Sequence, residues 1–507
     1  MSYSMHLLLA AATLGSIKSQ APQAEPADGD CRSVMEPALQ RLQQLVERLL
    51  QNRTTPVEIL RFEQDLQAEV RELARALEQW TLNRLEADVD ALPKHVWFEA
   101  SPYTRLNQKT PQPVWTPFGQ IRLWRVGYRP TNKTGDATLF PLPLCLGLVQ
   151  GATPGLAERA ARLLGGSGMT QSQTLERLRQ DHNVHWGVKK LRQVTAAVSQ
   201  ALTEHRHATQ VEQLLGWLNQ ASVSRGPHKP VVSVGRDGIT LGMRIKGGRL
   251  FEVASTGTVT VLDRRGKRVG TVYLAYTPEF GQPTMSRELT RLVKDLLARW
   301  DGPLPRLCYV TDAGDNETAY YERVLRRMKH PSTGQRLPWI RVLDYYHASE
   351  RIWTMAELFF GKGRRATSWA RKMQQWLKKP GGVYRLLHSA AALRDRYLSQ
   401  RKRTQFQKTY RYLRQRMAFM RYAEYRQWGV PLGSGVTEAA CKTVYTQRLK
   451  LSGMAWERIG AQTVLNLRVL QLSGVWETAY GRVLAGNVEP QIRGQLHSTS
   501  LHAKNAA

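Results

Sequence analysis

Val231-Val232-Ser233-Val234-Gly235-Arg236-Asp237-Gly238 is a short apolar run that ends in an acid and a turn residue. The Ser, Arg, Gly, Pro, His and Lys residues of 222–229 precede it and read as a linker, so the run predicts a buried strand opening a new region. Two further β runs, Leu250 to Leu262 and Val269 to Tyr276, flank Asp263-Arg264-Arg265-Gly266-Lys267 and predict an antiparallel hairpin. A helix over about 286–300 follows. Leu307-Cys308-Tyr309-Val310-Thr311 is then a strand ending at Asp312, a helix covers about 317–328, and Trp339-Ile340-Arg341-Val342-Leu343 is a strand ending at Asp344. Asp-Gly is a common turn pair and means little alone. Three strands that each end in an acid mean more.

The order β-β-β-α-β-α-β is the succession of an RNase-H-like mixed sheet, in which the first and fourth strands lie side by side and parallel. Asp237 and Asp312 would then meet at one edge, where open α/β sheets place their ligands. A third acid is expected from a later helix, and Gly433-Ser434-Gly435-Val436-Thr437-Glu438-Ala439-Ala440-Cys441-Lys442 supplies Glu438. Ser434 reads as an N-cap between two glycines that permit a tight turn. Glu438, Lys442 and Tyr445 fall at i, i+4 and i+7, which predicts one shared helix face. Asp312-Ala313-Gly314-Asp315 fails the calcium-loop pattern, because Glu317 stands where that loop needs Gly. Asp344-Tyr345-Tyr346-His347 sets acid and imidazole at i, i+3, a spacing that a capped helix start also produces.

The remaining chain frames this core. Residues 1–33 read as a disordered leader. Met5 to Ala12 is apolar but has no basic segment before it, so export is not expected. Over 34–110 a helical hairpin is expected: Leu39, Leu42, Val46 and Leu49 lie on one stripe, and Thr55-Pro56-Val57-Glu58 starts a helix carrying Ile59, Phe62, Leu66, Val70, Leu73, Leu77 and Trp80. Its stripe could serve core packing or self-association. Over 111–221 a small β element around Gln120 to Val126 precedes three short helices, the last basic through Lys189, Lys190 and Arg192, a pattern that suits a helix-turn-helix. Residues 230–360 and 431–480 form the two parts of the core. Residues 361–430 are a helical insertion, and 481–507 a polar tail. Between Lys362 and Arg426 stand about 19 Lys and Arg but only Asp395 and Glu424 as acids, with Trp369, Trp376, Tyr384, Tyr397, Phe406, Tyr410 and Tyr412 interleaved. Such an imbalance calls for a polyanion. The whole chain agrees: 507 residues carry 73 Lys and Arg against 41 Asp and Glu, a net charge of +32. DNA is the simplest partner. No apolar run would span a bilayer. Cys31, Cys145, Cys308 and Cys441 are scattered and form no Cys-x-x-Cys pair, which points to a reducing, cytoplasmic setting.

The motifs Val234-Gly235-Arg236-Asp237-Gly238, Val310-Thr311-Asp312-Ala313-Gly314, Leu343-Asp344-Tyr345-Tyr346-His347 and Pro431 to Lys442, with Arg448 to Trp456, resemble those of DDE transposases of bacterial insertion sequences. The likeness is to the Kra-type group related to Mutator-like transposases and covers roughly residues 110–475. It implies cleavage and strand transfer at the ends of an element, with two Mg²⁺ (or Mn²⁺) ions held by Asp237, Asp312 and Glu438, Asp237 bridging both. It also implies terminal repeats and target DNA as partners, and a homodimer or larger assembly. Ala313 stands where the family pattern has Gly, which leaves Asp315 in contention with Asp312. Asp344 and His347 would support the site, and Lys442, Arg448 and Lys450 would touch DNA beside it. A related nuclease or resolvase without strand transfer, or an inactive DNA-binding derivative, are the alternatives.

Overall fold

The computed structural model describes residues 30–51, 55–98, 101–131, 137–166, 168–486 and 493–494. The protein is mixed α/β, with one antiparallel and one mixed sheet. It divides into two compact units, one drawn from Met1–Leu164, Met169–Leu202 and Tyr480–Ala507, the other from Gly165–Gly168 and Thr203–Ala479. Among the described residues no helix is long and apolar enough to cross a membrane. Of the expected leader, residues 1–29 lie outside the described ones, and Cys31 already begins a helix.

In the first unit α1 (Cys31–Gln51) and α2 (Pro56–Arg84) form the hairpin. Thr55 and Glu58 cap α2 reciprocally, which satisfies two donors that the first helical turn leaves open. The apolar stripe of α2 is only partly covered: Ile59, Val70 and Leu77 are all more than a third exposed, while Phe62, Leu66, Leu73 and Trp80 are half-buried. Its polar side packs as well. Arg122 N donates to Gln79 Oε1 (2.8 Å), Trp124 N to Asn83 Oδ1 (2.7 Å) and Val126 N to Glu86 Oε2 (3.3 Å). Four helical residues advance about 6 Å and two strand residues about 6.8 Å, so these side chains match alternate amides of the edge strand β3 and close it.

That sheet is larger than the sequence implied. β1 (His95–Phe98) and β2 (Ser101–Thr116) precede β3 (Gly119–Pro130), and Arg493–Gly494 pairs with β1. Residues 95–110 are therefore mainly strand, where a helical region was expected, and part of the expected polar tail is paired. Pro111 and Pro113 concealed β2. β1 pairs with it only over Ser101 to Thr104, so farther along these prolines face an open edge and the ladder loses no donor. Helices α3 (Pro154–Gly165), α4 (Gln171–His182) and α5 (Val188–Val223) follow. α5 has 36 residues and takes in the start of the expected linker, because no proline interrupts it before Pro227.

In the second unit β4 (Val231–Ile245), β5 (Gly248–Leu262), β6 (Arg268–Tyr276), β7 (Arg306–Thr311) and β8 (Ile340–Leu343) form a sheet of order β6-β5-β4-β7-β8. β4, β5 and β6 are antiparallel neighbours, whereas β7 and β8 run parallel to β4. Alternate residues serve two cores. Val232, Val234, Leu307 and Tyr309 meet α6 (Pro283–Ala298) through Met285, Leu289, Leu292 and Leu296. Val231, Cys308, Val310 and Val342 face α8 (Tyr345–Phe360). α7 (Asp315–Arg323) links β7 to the stretch before β8. The segment 361–430 is helical: α9 (Arg364–Leu377), α10 (Gly382–Tyr397), α11 (Gln400–Gln415) and α12 (Tyr422–Gln427). Its aromatics mostly pack, as Phe359 against Trp369 and Phe406 against Tyr410, while Tyr384 stays 62% exposed. The chain closes the unit with α13 (Gly435–Ala440), a π-helical turn at Cys441–Thr446 and α14 (Arg458–Leu472).

Candidate active site at the strand ends

Strand register lines up three acids. β4 pairs with β7 at Gly235↔Val310, and β7 with β8 at Thr311↔Leu343. Two residues past the first pair stand Asp237 and Asp312, and one past the second stand Asp312 and Asp344. The three aspartates thus share one transverse line across adjacent strands, each strand about 4.8 Å from the next.

Their surroundings separate them. Asp344 is fully buried and saturated. Its Oδ1 accepts from Tyr346 N (2.6 Å) and His347 N (3.0 Å), capping α8. Its Oδ2 accepts from the Ser434 hydroxyl (2.7 Å) and the Ser434 amide. Asp344 therefore ties α8 to the loop before α13. The His347 ring does not reach it; Nε2 stands 3.6 Å from Glu438 Oε1 and Nδ1 3.2 Å from Glu350 Oε2.

Asp237 and Asp312 are less enclosed. Asp237 Oδ1 accepts from Gly238 N (2.7 Å), and Oδ2 from the Cys441 thiol (3.3 Å). Burial raises the Asp237 carboxyl above the usual range, and the Asp312 and Glu438 carboxylates push it the same way, against the Gly238 and Cys441 hydrogen bonds. The Cys441 thiol is itself pushed up to about 12, chiefly by burial, so it is a protonated donor rather than a nucleophile. Asp312 Oδ1 accepts from Gly314 N (3.0 Å). Ala313 adopts φ +59°, the left-handed conformation in which glycine is at ease.

Glu438 reaches this edge because Gly235 lets α13 sit against the sheet. A Cβ on Gly235 would stand 1.9 Å from Thr437 Oγ1 and 2.7 Å from Thr258 Oγ1, two hydroxyls that bond at 2.8 Å. Ser434 occupies the N-cap position, yet its hydroxyl makes no cap bond. It lies 2.7 Å from both Asp344 Oδ2 and Glu438 Oε1. The expected face of Glu438, Lys442 and Tyr445 does not form. The π-helical turn widens the helix and shifts its phase. Lys442 is exposed, whereas Tyr445 is fully buried, its hydroxyl 2.7 Å from Ser255 O and 3.0 Å from Tyr276 O.

Asp315 is exposed in the first turn of α7, off the register line. The acid that turns inward from α7 is Glu317, whose place in the sequence signals no more than a failed calcium loop. It is 8% exposed, and its Oε1 lies 4.0 Å from Arg236 Nε. A Cβ on Gly314 would sit 2.5 Å from Glu317 Oε2 and 3.5 Å from Asp312 Oδ1, so the two carboxylates flank that glycine. Burial raises the Glu317 carboxyl; Asp312 and Asp237 add to the shift and Arg236 opposes it. Arg236, 1% exposed, also donates to Ser286 Oγ (2.8 Å) and Gln282 Oε1 (2.7 Å).

The basic residues divide as well. Lys442 and Lys450 are exposed. Arg448 is not a surface cation: it is 0% exposed, its guanidinium lies 5.3 Å from the Trp456 ring centroid, and burial lowers its pKa to about 10. From that position it offers no face to a phosphate. In the first unit Lys189 and Arg192 are exposed, with Arg192 donating to Gln171 Oε1 (3.0 Å), and Lys190 is half-buried.

Among the described residues no three His, Cys, Asp or Glu side chains stand together as a ready-made metal cage. The donor set is nevertheless one of carboxylate oxygens, the type that suits Mg²⁺ or Mn²⁺ rather than zinc. A search with protein-family models returned no match to this sequence, and neither did a search of curated proteins.

Proposed function

We propose that this protein is a DNA transposase of the DDE type, which cuts at the ends of its own element and joins them to target DNA. The observation that carries the reading is the register line. Two half-buried aspartates, Asp237 within β4 and Asp312 just past the parallel strand β7, are neighbours by register, with Glu438 brought to the same edge by Gly235. The strand order and the mixed hairpin-plus-parallel sheet are what an RNase-H-like catalytic domain requires.

Asp237, Asp312 and Glu438 would hold the divalent cations, and Asp237 would be the shared ligand. Bound cations of this kind polarise a phosphodiester and make an oxygen nucleophile available at neutral pH. The chain's own residues prepare the site. Asp344, already saturated, fixes the α13 loop. The Ser434 hydroxyl, whose single proton serves Asp344 or Glu438 at a time, and the His347 ring lie beside Glu438. Gly238 N and the Cys441 thiol orient the Asp237 carboxylate. Lys442 and Lys450 would meet phosphates near the acids. Lys189, Lys190 and Arg192 on α5, after α3 and α4, would form a helix-turn-helix-like DNA contact. Pairing two DNA ends calls for at least a homodimer, and the partly exposed apolar stripe of α2 is a suitable surface for it. A cytoplasmic setting goes with this activity.

The test is Mg²⁺-dependent nicking and joining of DNA that carries the element's ends. Wild type should perform both, and Asp237→Ala and Glu438→Gln should lose about 10³-fold or more, as removal of an essential catalytic group does. Nicking without joining would indicate a nuclease or resolvase. DNA binding that both variants retain, with no cleavage by wild type, would leave a DNA-binding protein.

A further inference from the structure

A groove of about 670 Å³ runs along α10 and α11 and onto Arg416. Five bases line it, Arg394, Arg403, Lys408, Arg411 and Arg416, and no acid does. Asp395, nearby, pairs with Arg394 (2.9 Å) and Arg403 (3.6 Å). From Arg403 to Arg411 the positive side of α11 extends about 12 Å. That length matches three to four rises of about 3.4 Å along one DNA strand. A single phosphate would leave most of it unused.

The groove is joined to the strand ends. Tyr412, on its floor, donates from its hydroxyl to Asp312 O (2.5 Å). Arg416, at its end, donates through Nη2 (3.0 Å) and Nε (3.3 Å) to Ala313 O, and its guanidinium lies 4.2 Å from the Tyr412 ring centroid. These bonds hold the two peptides on either side of Ala313, the first of which leaves Asp312. They act on Ala313, whose left-handed backbone is strained for a residue with a Cβ and persists when surrounding groups over-determine it.

We propose that this groove binds the sugar-phosphate backbone of duplex DNA, without regard to sequence, and that Tyr412 and Arg416 transmit its occupancy to the Asp312-Ala313 loop. Both are positioning residues, since neither touches the reacting atoms. The consequence for catalysis rests on the reading of Asp312 given above; the mechanical link does not.

The experiment uses the full chain and a random-sequence DNA duplex. Binding is followed by fluorescence anisotropy across KCl concentrations, and amide exchange of the segment 306–320 by mass spectrometry. Lys408→Gln with Arg411→Gln should flatten the log–log salt dependence by about two units, one per lost phosphate contact. An unchanged slope overturns the groove. In wild type, DNA should slow exchange at Asp312 to Gly314. Tyr412→Phe should keep the salt slope and lose that protection, and Arg416→Lys, which keeps the charge and one donor, should retain part of it. Equal protection in wild type and Tyr412→Phe overturns the link. If Tyr412→Phe does not fold, Arg416→Met against Arg416→Lys carries the same comparison. Failure of Mg²⁺-dependent cleavage with these responses intact would remove the transposase reading alone.

Discussion

The arginines of the second unit fall into two populations that a charge count treats alike. Arg236, Arg341, Arg448 and Arg468 are at most 4% exposed, while Arg394, Arg403 and Arg411 on the helical segment are open to solvent. The buried guanidinium groups act on the protein. Arg236 bonds Ser286 and Gln282, Arg341 donates to Thr311 Oγ1 (2.6 Å), and Arg468 to Gly165 O (2.9 Å). Their five donors in a planar fork suit several fixed acceptors at once. The exposed groups make at most surface ion pairs, as Arg394 and Arg403 do with Asp395, which contribute little to the fold. One population sets geometry, and the other presents charge.

The strongest way to break that contrast is Arg236→Ala. It leaves Glu317 as a buried carboxylate without its cation and strips donors from Gln282 and Ser286. Breaking a buried pair from one side costs about 3–5 kcal/mol. Chemical denaturation should show a loss of that size, and Arg236→Ala/Glu317→Gln should recover part of it. A loss below about 0.5 kcal/mol would mean that the buried forks are no more structural than surface ones.

Gly235→Ala is the next largest. Its new methyl would meet the Thr437 hydroxyl at 1.9 Å, so α13 must move. Overpacking of this kind costs about 1–3 kcal/mol. Thr437→Ala in the same chain should relieve much of it, a coupling that a double-mutant cycle measures directly. Cleavage should fall further than stability, because Glu438 moves with the helix.

The same glycine marks how far the sequence could be read. The strand order was legible, and so were Asp312 and Asp344 just past β7 and β8, because apolar runs and their terminal residues are local signals. Asp237 is not the strand end expected of it, since β4 runs on to Ile245 and pairs with β5 throughout. The pairing of Asp237 with Asp312 follows from register once the strands are parallel. Glu317 was passed over because, in sequence, it is one more acid in a helical first turn; only Arg236 and Asp312 across the fold give it meaning. Tyr445 was misplaced because a π-helical turn leaves no periodic trace. Arg448 looked like a DNA contact because it stands between basic neighbours, and nothing local reports that Trp456 covers it. The strand Ser101–Thr116 was hidden by prolines that face an open edge.

The pH response separates the site from both populations. Burial and two neighbouring carboxylates raise the Asp237 carboxyl, so its ionised form is penalised in the folded state. Below the ordinary aspartate range, near 3.9, the group is protonated in both states and contributes no penalty. As pH rises through the raised folded value, the penalty is reached in full. Asp237→Asn, measured without divalent cations, should therefore unfold at higher temperature than wild type at pH 8. The gain should fade toward pH 4. A gain that is constant with pH would assign it to packing instead of charge.

The smallest expected effect is the other side of the contrast. Arg371 and Lys372 lie exposed on α9, where Lys372 sits 5.0 Å from the Trp376 ring centroid. Replacing both by Gln should change stability by no more than about 0.5 kcal/mol, as surface substitutions do. The sign is informative. In a chain of net charge +32, removing two exposed cations relieves repulsion, so the variant should be slightly more stable at low ionic strength. Added salt should erase the difference, since the Debye length falls from about 30 Å at 0.01 M to about 3 Å at 1 M. A destabilisation that survives 1 M salt would show that these cations are fastened into the fold like Arg236. The excess positive charge of the helical segment would then no longer be a surface awaiting a polyanion.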